Sequence, residues 1–109
     1  MLRILESANA DVLCFGHTHK PYHRVLNSGT DAEPQFRHAI NIGSIGKPKD
    51  GDPRGGYVLL ELDEYSNLKN AESIRVEFVR FEYDVEKAAR AVEESTLPNA
   101  YATALRVAK

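Results

Sequence analysis

The chain has 109 residues, a formal net charge of −2, 42% hydrophobic residues and 28% charged residues. This composition is ordinary for a single folded domain spanning residues 1–109, and it argues against disorder. Acids and bases are mixed without a basic stripe, and no apolar run approaches the roughly 18–20 residues that cross a bilayer, so neither nucleic acid nor a membrane is an expected partner. Because no secretory signal is visible at Met1, the expected compartment is the cytoplasm.

The first half of the chain predicts a short helix followed by three strands. Apolar residues at helical spacing predict a helix over residues 2–9. Residues 11–15 are apolar almost throughout, which is typical of a strand covered on both faces. Polar, turn-rich segments separate this strand from two further ones, which we expect at residues 22–26 and 38–42.

The second half predicts two longer strands and two helices. The mostly apolar residues 57–62 predict a strand. Residues 73–83 alternate as strands do, but the alternation slips between Phe78 and Val79, which predicts a β-bulge or a bend. Asp84 is the predicted N-cap of a helix, and another helix begins at Pro98. Strands followed by helices indicate a mixed α/β (α+β) fold, in which C-terminal helices cover one face of a mostly antiparallel sheet. The apolar stripe expected to make that contact comprises Val85, Ala88, Ala89 and Val92.

The loop that follows the first strand contains the candidate metal ligands His17 and His19. On an extended segment, residues two apart point to the same side with Cα atoms roughly 6.6 Å apart. That separation suits two imidazoles that serve two metal ions about 3.5–4 Å apart. By spacing alone, a surface His-x-His that binds nothing is the commoner case. Two nitrogen donors are also too few for a tight site, so further ligands would have to come from elsewhere.

Two motifs resemble a known family. Residues 12–21 read Val-Leu-Cys-Phe-Gly-His-Thr-His-Lys-Pro, which resembles the final Gly-His-x-His motif of calcineurin-like metallophosphoesterases. Residues 41–54 resemble the Asn-Pro-Gly-Ser-x-Gly-x-Pro-x-Asp-Gly-Asp-Pro-Arg stretch of the bacterial and archaeal branch, with Ile42 where proline is common. That branch includes phosphodiesterases, protein-phosphatase-like enzymes and diadenosine-tetraphosphatase-like enzymes. The helix start at residues 83–86 and the later Leu97 and Pro98 are also similar.

The resemblance implies specific roles for these residues. His17 and His19 would each bind one of two divalent ions, with manganese, iron, zinc and nickel as the candidates. Asn41, Gly43 and Ser44 would support the site, although a plain structural turn explains them equally well. Gly16 would let the backbone come close to the site. Arg54 is a candidate for facing the substrate, but residues 50–54 are also ordinary turn chemistry, which we favour.

The resemblance covers the C-terminal portion of the family's domain, which is half of a four-layer αββα sandwich. The family's earlier Asp-x-His and Gly-Asn-His motifs do not occur in this sequence, so no residue is assigned as catalytic. We therefore expect Met1 to mark a truncation, a split gene or an artificial boundary. Without its covering layer, the chain is expected to form a homodimer or to associate with a missing N-terminal half.

Two functions from different classes follow from these observations. In the first, the chain contributes to a metal-dependent phosphoesterase that hydrolyses a phosphomonoester, phosphodiester or phosphoanhydride, and it is inactive alone. The substrate would be a phosphorylated small molecule or a phosphoprotein. In the second, the chain is a non-catalytic remnant or interaction module that binds metal weakly or binds a partner chain.

Overall fold

The computed structural model describes residues 1–109 and contains five strands, three helices and one 3-10 turn at Ala71–Ser73. The chain begins with a short helix, and every strand predicted from the sequence is present within two residues of its expected bounds. In chain order the elements are α1 (Leu2–Ser7), β1 (Val12–Phe15), β2 (Tyr22–Asn27), β3 (Phe36–Asn41), β4 (Gly55–Glu61), β5 (Arg75–Phe81), α2 (Val85–Glu93) and α3 (Asn99–Val107).

The first three strands form one sheet in the order β1-β3-β2. β3 lies in the centre, pairs antiparallel with β2 and pairs parallel with β1. Residues 38–41 are buried because β3 has a neighbour on each side. β1 lies at the edge of the sheet with Cys14 exposed, so the expectation that this strand is covered on both faces is wrong within this chain.

β4 and β5 form a separate two-stranded antiparallel sheet. Their register runs without interruption from Gly55 opposite Phe81 to Glu61 opposite Arg75, so the bulge predicted near Phe78 is absent. The slip in alternation has a different cause. Phe78 and the apolar residues before it face one side of the sheet, whereas Val79 and Phe81 face the other side. Both faces of this sheet are therefore apolar over part of their length.

The C-terminal helices pack mainly on each other, which corrects the prediction that they cover the sheet. Ala89 of α2 and Ala102 of α3 are fully buried. The Arg106 guanidinium pairs with Glu86 at 2.8 Å and with Glu93 at 2.5 Å. Small residues let two helices approach closely, and the ion pairs fasten α3 to α2 instead of to the strands. Asp84 accepts a hydrogen bond from the Lys87 amide, as the predicted N-cap should.

The molecule is elongated. Its Cα radius of gyration is 17.6 Å and its principal extents are 57 × 25 × 18 Å. A compact domain of this length has a radius of about 13 Å. None of the helices combines the length and the apolarity that a membrane-spanning segment needs. Two thin sheets and a helical pair therefore share few buried residues, and much apolar surface remains exposed.

Candidate metal centre

The loop between β1 and β2 holds His17 and His19 in left-handed backbone conformations, with φ of 84° and 61°. The sequence predicted that both histidines lie on an extended segment. This prediction is wrong, because a residue with positive φ turns the chain out of the extended conformation. A residue other than glycine in this region costs about 1–3 kcal/mol, and such residues cluster at active sites and ligand clamps. The conformation therefore marks this loop as a candidate functional site.

His19 is held by the backbone of residues 47–49. Its Nδ1 lies 2.7 Å from the carbonyl oxygen of Lys47, and its own carbonyl accepts a hydrogen bond of 3.0 Å from the Lys49 amide. A carbonyl oxygen only accepts, so Nδ1 carries a proton, and in the neutral imidazole Nε2 is the nitrogen that can bind a metal ion. Metal-binding histidines are usually oriented in this way. His17 is exposed beside it.

Asn41 connects the two motifs that were singled out in the sequence. Its buried side chain donates from Nδ2 to Thr18 Oγ1 at 2.8 Å and accepts from the Gly43 amide at 2.9 Å. Thr18 lies between the two histidines, so this bond fixes the loop at its middle. Gly43 has φ of 73°, and a methyl group at this position would lie 3.2 Å from the Pro21 ring. Both residues therefore shape the histidine loop.

Ser44 and Gly16 have more ordinary surroundings. Ser44 Oγ accepts a 2.9 Å hydrogen bond from the Lys47 amide, which forms the turn that carries the Lys47 carbonyl to His19. A methyl group at Gly16 would lie 3.7 Å from the Gly43 carbonyl oxygen, which is an ordinary contact. No contact within this chain therefore requires glycine at position 16, and the supporting role of Gly16 stays a prediction.

Arg54 is engaged in its own turn. Its guanidinium pairs with Asp52 at 2.8 Å, and its amide donates to the same carboxylate at 3.0 Å. The hydrogen bonds from Arg54 lower the pKa of the Asp52 carboxyl to about 2. Asp50 pairs with Arg80 of β5 in the same region. These contacts favour the turn role for Arg54. Its substrate-facing role stays a prediction.

His23 of β2 and His38 of β3 form a pair. His23 Nε2 lies 2.9 Å from His38 Nδ1, and the rings stack with centroids 5.1 Å apart. His38 is fully buried and its Nε2 has no hydrogen-bond partner. Burial lowers the pKa of both imidazoles, and the neighbouring His23 charge lowers the pKa of His38 further. No sequence signal indicated this pairing, because the two residues lie on different strands.

The donor set fits part of a metal centre. His19 presents an oriented, unprotonated Nε2, and His17 is an accessible imidazole two residues away. Nowhere in the chain do three or more His, Cys, Asp or Glu side chains converge as a metal ion would require. Two imidazoles are therefore what this chain offers to a divalent ion.

Comparisons with known proteins show which family this chain resembles. Residues 1–65 match the model of the calcineurin-like phosphoesterase superfamily domain. An uncharacterized protein of Methanocaldococcus jannaschii is 27% identical over 95 residues, which cover 81% of this chain and 35% of that protein. The crystal structure of a metallophosphoesterase from Sphaerobacter thermophilus superposes with a TM-score of 0.66 at 26% identity, covering 92% of this chain and 44% of that one.

The chain thus spans less than half the length of either relative. The structural match confirms the expected fold class, a mixed α/β arrangement with antiparallel pairing and C-terminal helices. The matched family segment includes both the histidine loop and Asn41 with the turn that follows it. Since the family model accounts for more than half of the sequence, the chain belongs to the calcineurin-like phosphoesterase superfamily.

Proposed function

We propose that this chain contributes His17 and His19 to the binuclear metal site of a phosphoesterase. The observation that carries the proposal is the 2.7 Å contact between His19 Nδ1 and the Lys47 carbonyl oxygen, which leaves Nε2 free to bind a cation. The strained backbone at both histidines supports it, since the surrounding structure must hold them in place.

The chain's own residues would hold and orient the divalent ions that bind the reacting phosphate. Bound divalent ions at such a site neutralise phosphate charge and lower the pKa of bound water. His17 and His19 would each supply one neutral nitrogen ligand, while Asn41 would keep the loop between them fixed through Thr18. A phosphomonoester, phosphodiester or phosphoanhydride of a small molecule or a phosphoprotein is the substrate class that this chemistry serves.

The remaining ligands would come from segments that these 109 residues do not contain. No three His, Cys, Asp or Glu side chains converge within the chain, which supports a site shared with other segments. The same observation favours the second candidate function, in which the chain binds metal weakly or serves as an interaction module. The metal affinity of the chain separates the two functions, because the second predicts weak metal binding or none.

We expect the chain alone to show no metal-dependent hydrolysis above the rate of the metal blank. Two imidazoles lack the partners that position the water and stabilise the transition state, and each such group is worth orders of magnitude in rate. The assay uses p-nitrophenyl phosphate and its bis-ester with manganese. Turnover that His17→Ala abolishes would show instead that the chain completes its own site.

We also propose that the chain forms a homodimer through the β4–β5 sheet. Val58 lies opposite Phe78 and Leu60 lies opposite Val76, so these four apolar residues share one face. Leu60 is 39% and Phe78 38% exposed. Burying apolar area stabilises association by about 25 cal/mol per Å². In a two-fold dimer the same apolar patch on each chain packs against its copy.

Light scattering coupled to size exclusion at micromolar concentration measures this association. We expect a dimer of the 12.2 kDa chain and a shift to monomer in Leu60→Glu. Leu59→Glu is the matched control, because Leu59 is 49% exposed but lies on the opposite face of the same strand. A wild-type monomer would contradict the proposal, and so would equal effects of the two substitutions.

A further inference from the structure

The short loop of residues 47–51 lies between His19 and the C-terminal helix α3. On one side, the Lys47 carbonyl accepts from His19 Nδ1 and the Lys49 amide donates to the His19 carbonyl. On the other side, the Lys47 ammonium lies 4.8 Å from the centroid of the Tyr101 ring. The Gly51 amide also donates to the Ala108 carbonyl at 3.0 Å. The same loop is therefore tied both to the candidate ligand and to α3.

α3 is itself a fixed support. Arg106 fastens it to α2 through two carboxylates, and Ala102 is buried between the helices. At its end, Ala108 is fully buried and has φ of 56°, a left-handed residue that ends the helix. Its carbonyl is the one that Gly51 binds. Pro48, in the middle of the loop, is also buried.

We infer that α3 is a positioning element for His19, acting through Lys47 and Tyr101, an inference that rests on the proposed role of His19 as a metal ligand. The Lys47 side chain is held against the Tyr101 ring, and the Lys47 backbone carbonyl selects the imidazole tautomer with its proton on Nδ1. A neutral imidazole can bind a cation only through its unprotonated nitrogen, so this tautomer directs Nε2 to the metal. Neither Lys47 nor Tyr101 is a ligand in this arrangement.

The His19 tautomer of the metal-free chain tests the inference, as measured by long-range proton–nitrogen NMR correlations of the imidazole ring. We expect the Nδ1–H form in the wild type. In Tyr101→Ala and in Lys47→Met, which keeps the aliphatic stem but removes the ammonium, we expect a shift toward a mixture of tautomers. Tyr101→Phe keeps the aromatic face and should retain the wild-type tautomer. Tyr65→Ala is the matched control, since Tyr65 is 77% exposed in the turn between β4 and β5.

Zinc titration by calorimetry supplies the second readout. Loss of a partly exposed cation–π contact should weaken zinc binding by about two- to fivefold in Tyr101→Ala. Tyr101→Phe keeps the contact and should bind zinc as the wild type does. If the wild-type tautomer persists in both Tyr101→Ala and Lys47→Met, the positioning role is overturned whatever the zinc affinity. If the tautomer responds as expected but no variant and no wild-type chain binds zinc, the positioning role stands and the proposed metal-binding function fails.

Discussion

Replacing His19 by alanine is expected to weaken zinc or manganese binding to this chain by more than about 100-fold. Loss of a group that merely orients a metal-binding histidine already costs about 10–100-fold, and loss of the ligand itself must cost more. A single remaining imidazole at His17 cannot hold a divalent ion against water at micromolar concentration. Calorimetric titration of the wild type and of the His19→Ala variant measures the difference, and His17→Ala should lose binding equally.

His23→Gln is the matched control for this experiment. Glutamine removes an imidazole but can still hydrogen-bond to His38 across the 2.9 Å contact, so the fold of the sheet should be kept. Zinc affinity in this variant should equal that of the wild type. Anomalous scattering from zinc-soaked crystals gives the location directly. A zinc ion held by His38, with His17 and His19 empty, would contradict the assignment.

Acid is expected to destabilise the chain in the pH range just below 6.5 through the His23–His38 pair. Burial lowers the folded-state pKa of both imidazoles below the unfolded value near 6.5, so the unfolded state binds more protons as the pH falls. The stability that the neutral pair supports is therefore present above pH 6.5 and is lost progressively as the pH drops toward the folded-state values. Once both rings are protonated, two N–H groups would face each other across 2.9 Å.

No carboxylate relieves this effect, since none of the ion pairs in the structure includes His23 or His38. Thermal unfolding at pH 7.5, 6.5 and 5.5 should show Tm falling by several degrees between pH 6.5 and 5.5. For a domain of this size, a loss of 1 kcal/mol in stability lowers Tm by roughly 4–8 °C. The Asp52 carboxyl, with its pKa lowered to about 2, titrates well outside this range.

The double variant His23→Leu with His38→Leu isolates the contribution of the pair. It carries no titratable group at either position, so its Tm should change little between pH 7.5 and 5.5. It also replaces the buried, unpartnered Nε2 of His38 by an apolar group, which removes a desolvation cost. An unchanged pH dependence in the double variant would assign the acid sensitivity to other groups.

The sequence by itself determined the local elements. An apolar run placed β4 and alternating apolar residues placed β5. The capping Asp84 placed the start of α2, and Pro98 placed α3 one residue downstream. These features depend on neighbours two to four positions away, which periodicity records directly. The sequence also identified the histidine loop and the Asn41 segment as the two motifs that carry the family resemblance, because their residue types and order are specific.

Only the tertiary structure decided how these pieces meet. The bond from Asn41 joins β3 to Thr18 in the β1–β2 loop, and the His23–His38 pair joins two strands, so both depend on strand order and register. The Lys47 carbonyl that orients His19 is a backbone group, which every residue type possesses and which therefore leaves no trace in the sequence. The packing of α2 on α3 instead of on the sheet was likewise not readable, since the amphipathic stripe shows that a helix face is buried and does not name the surface that buries it.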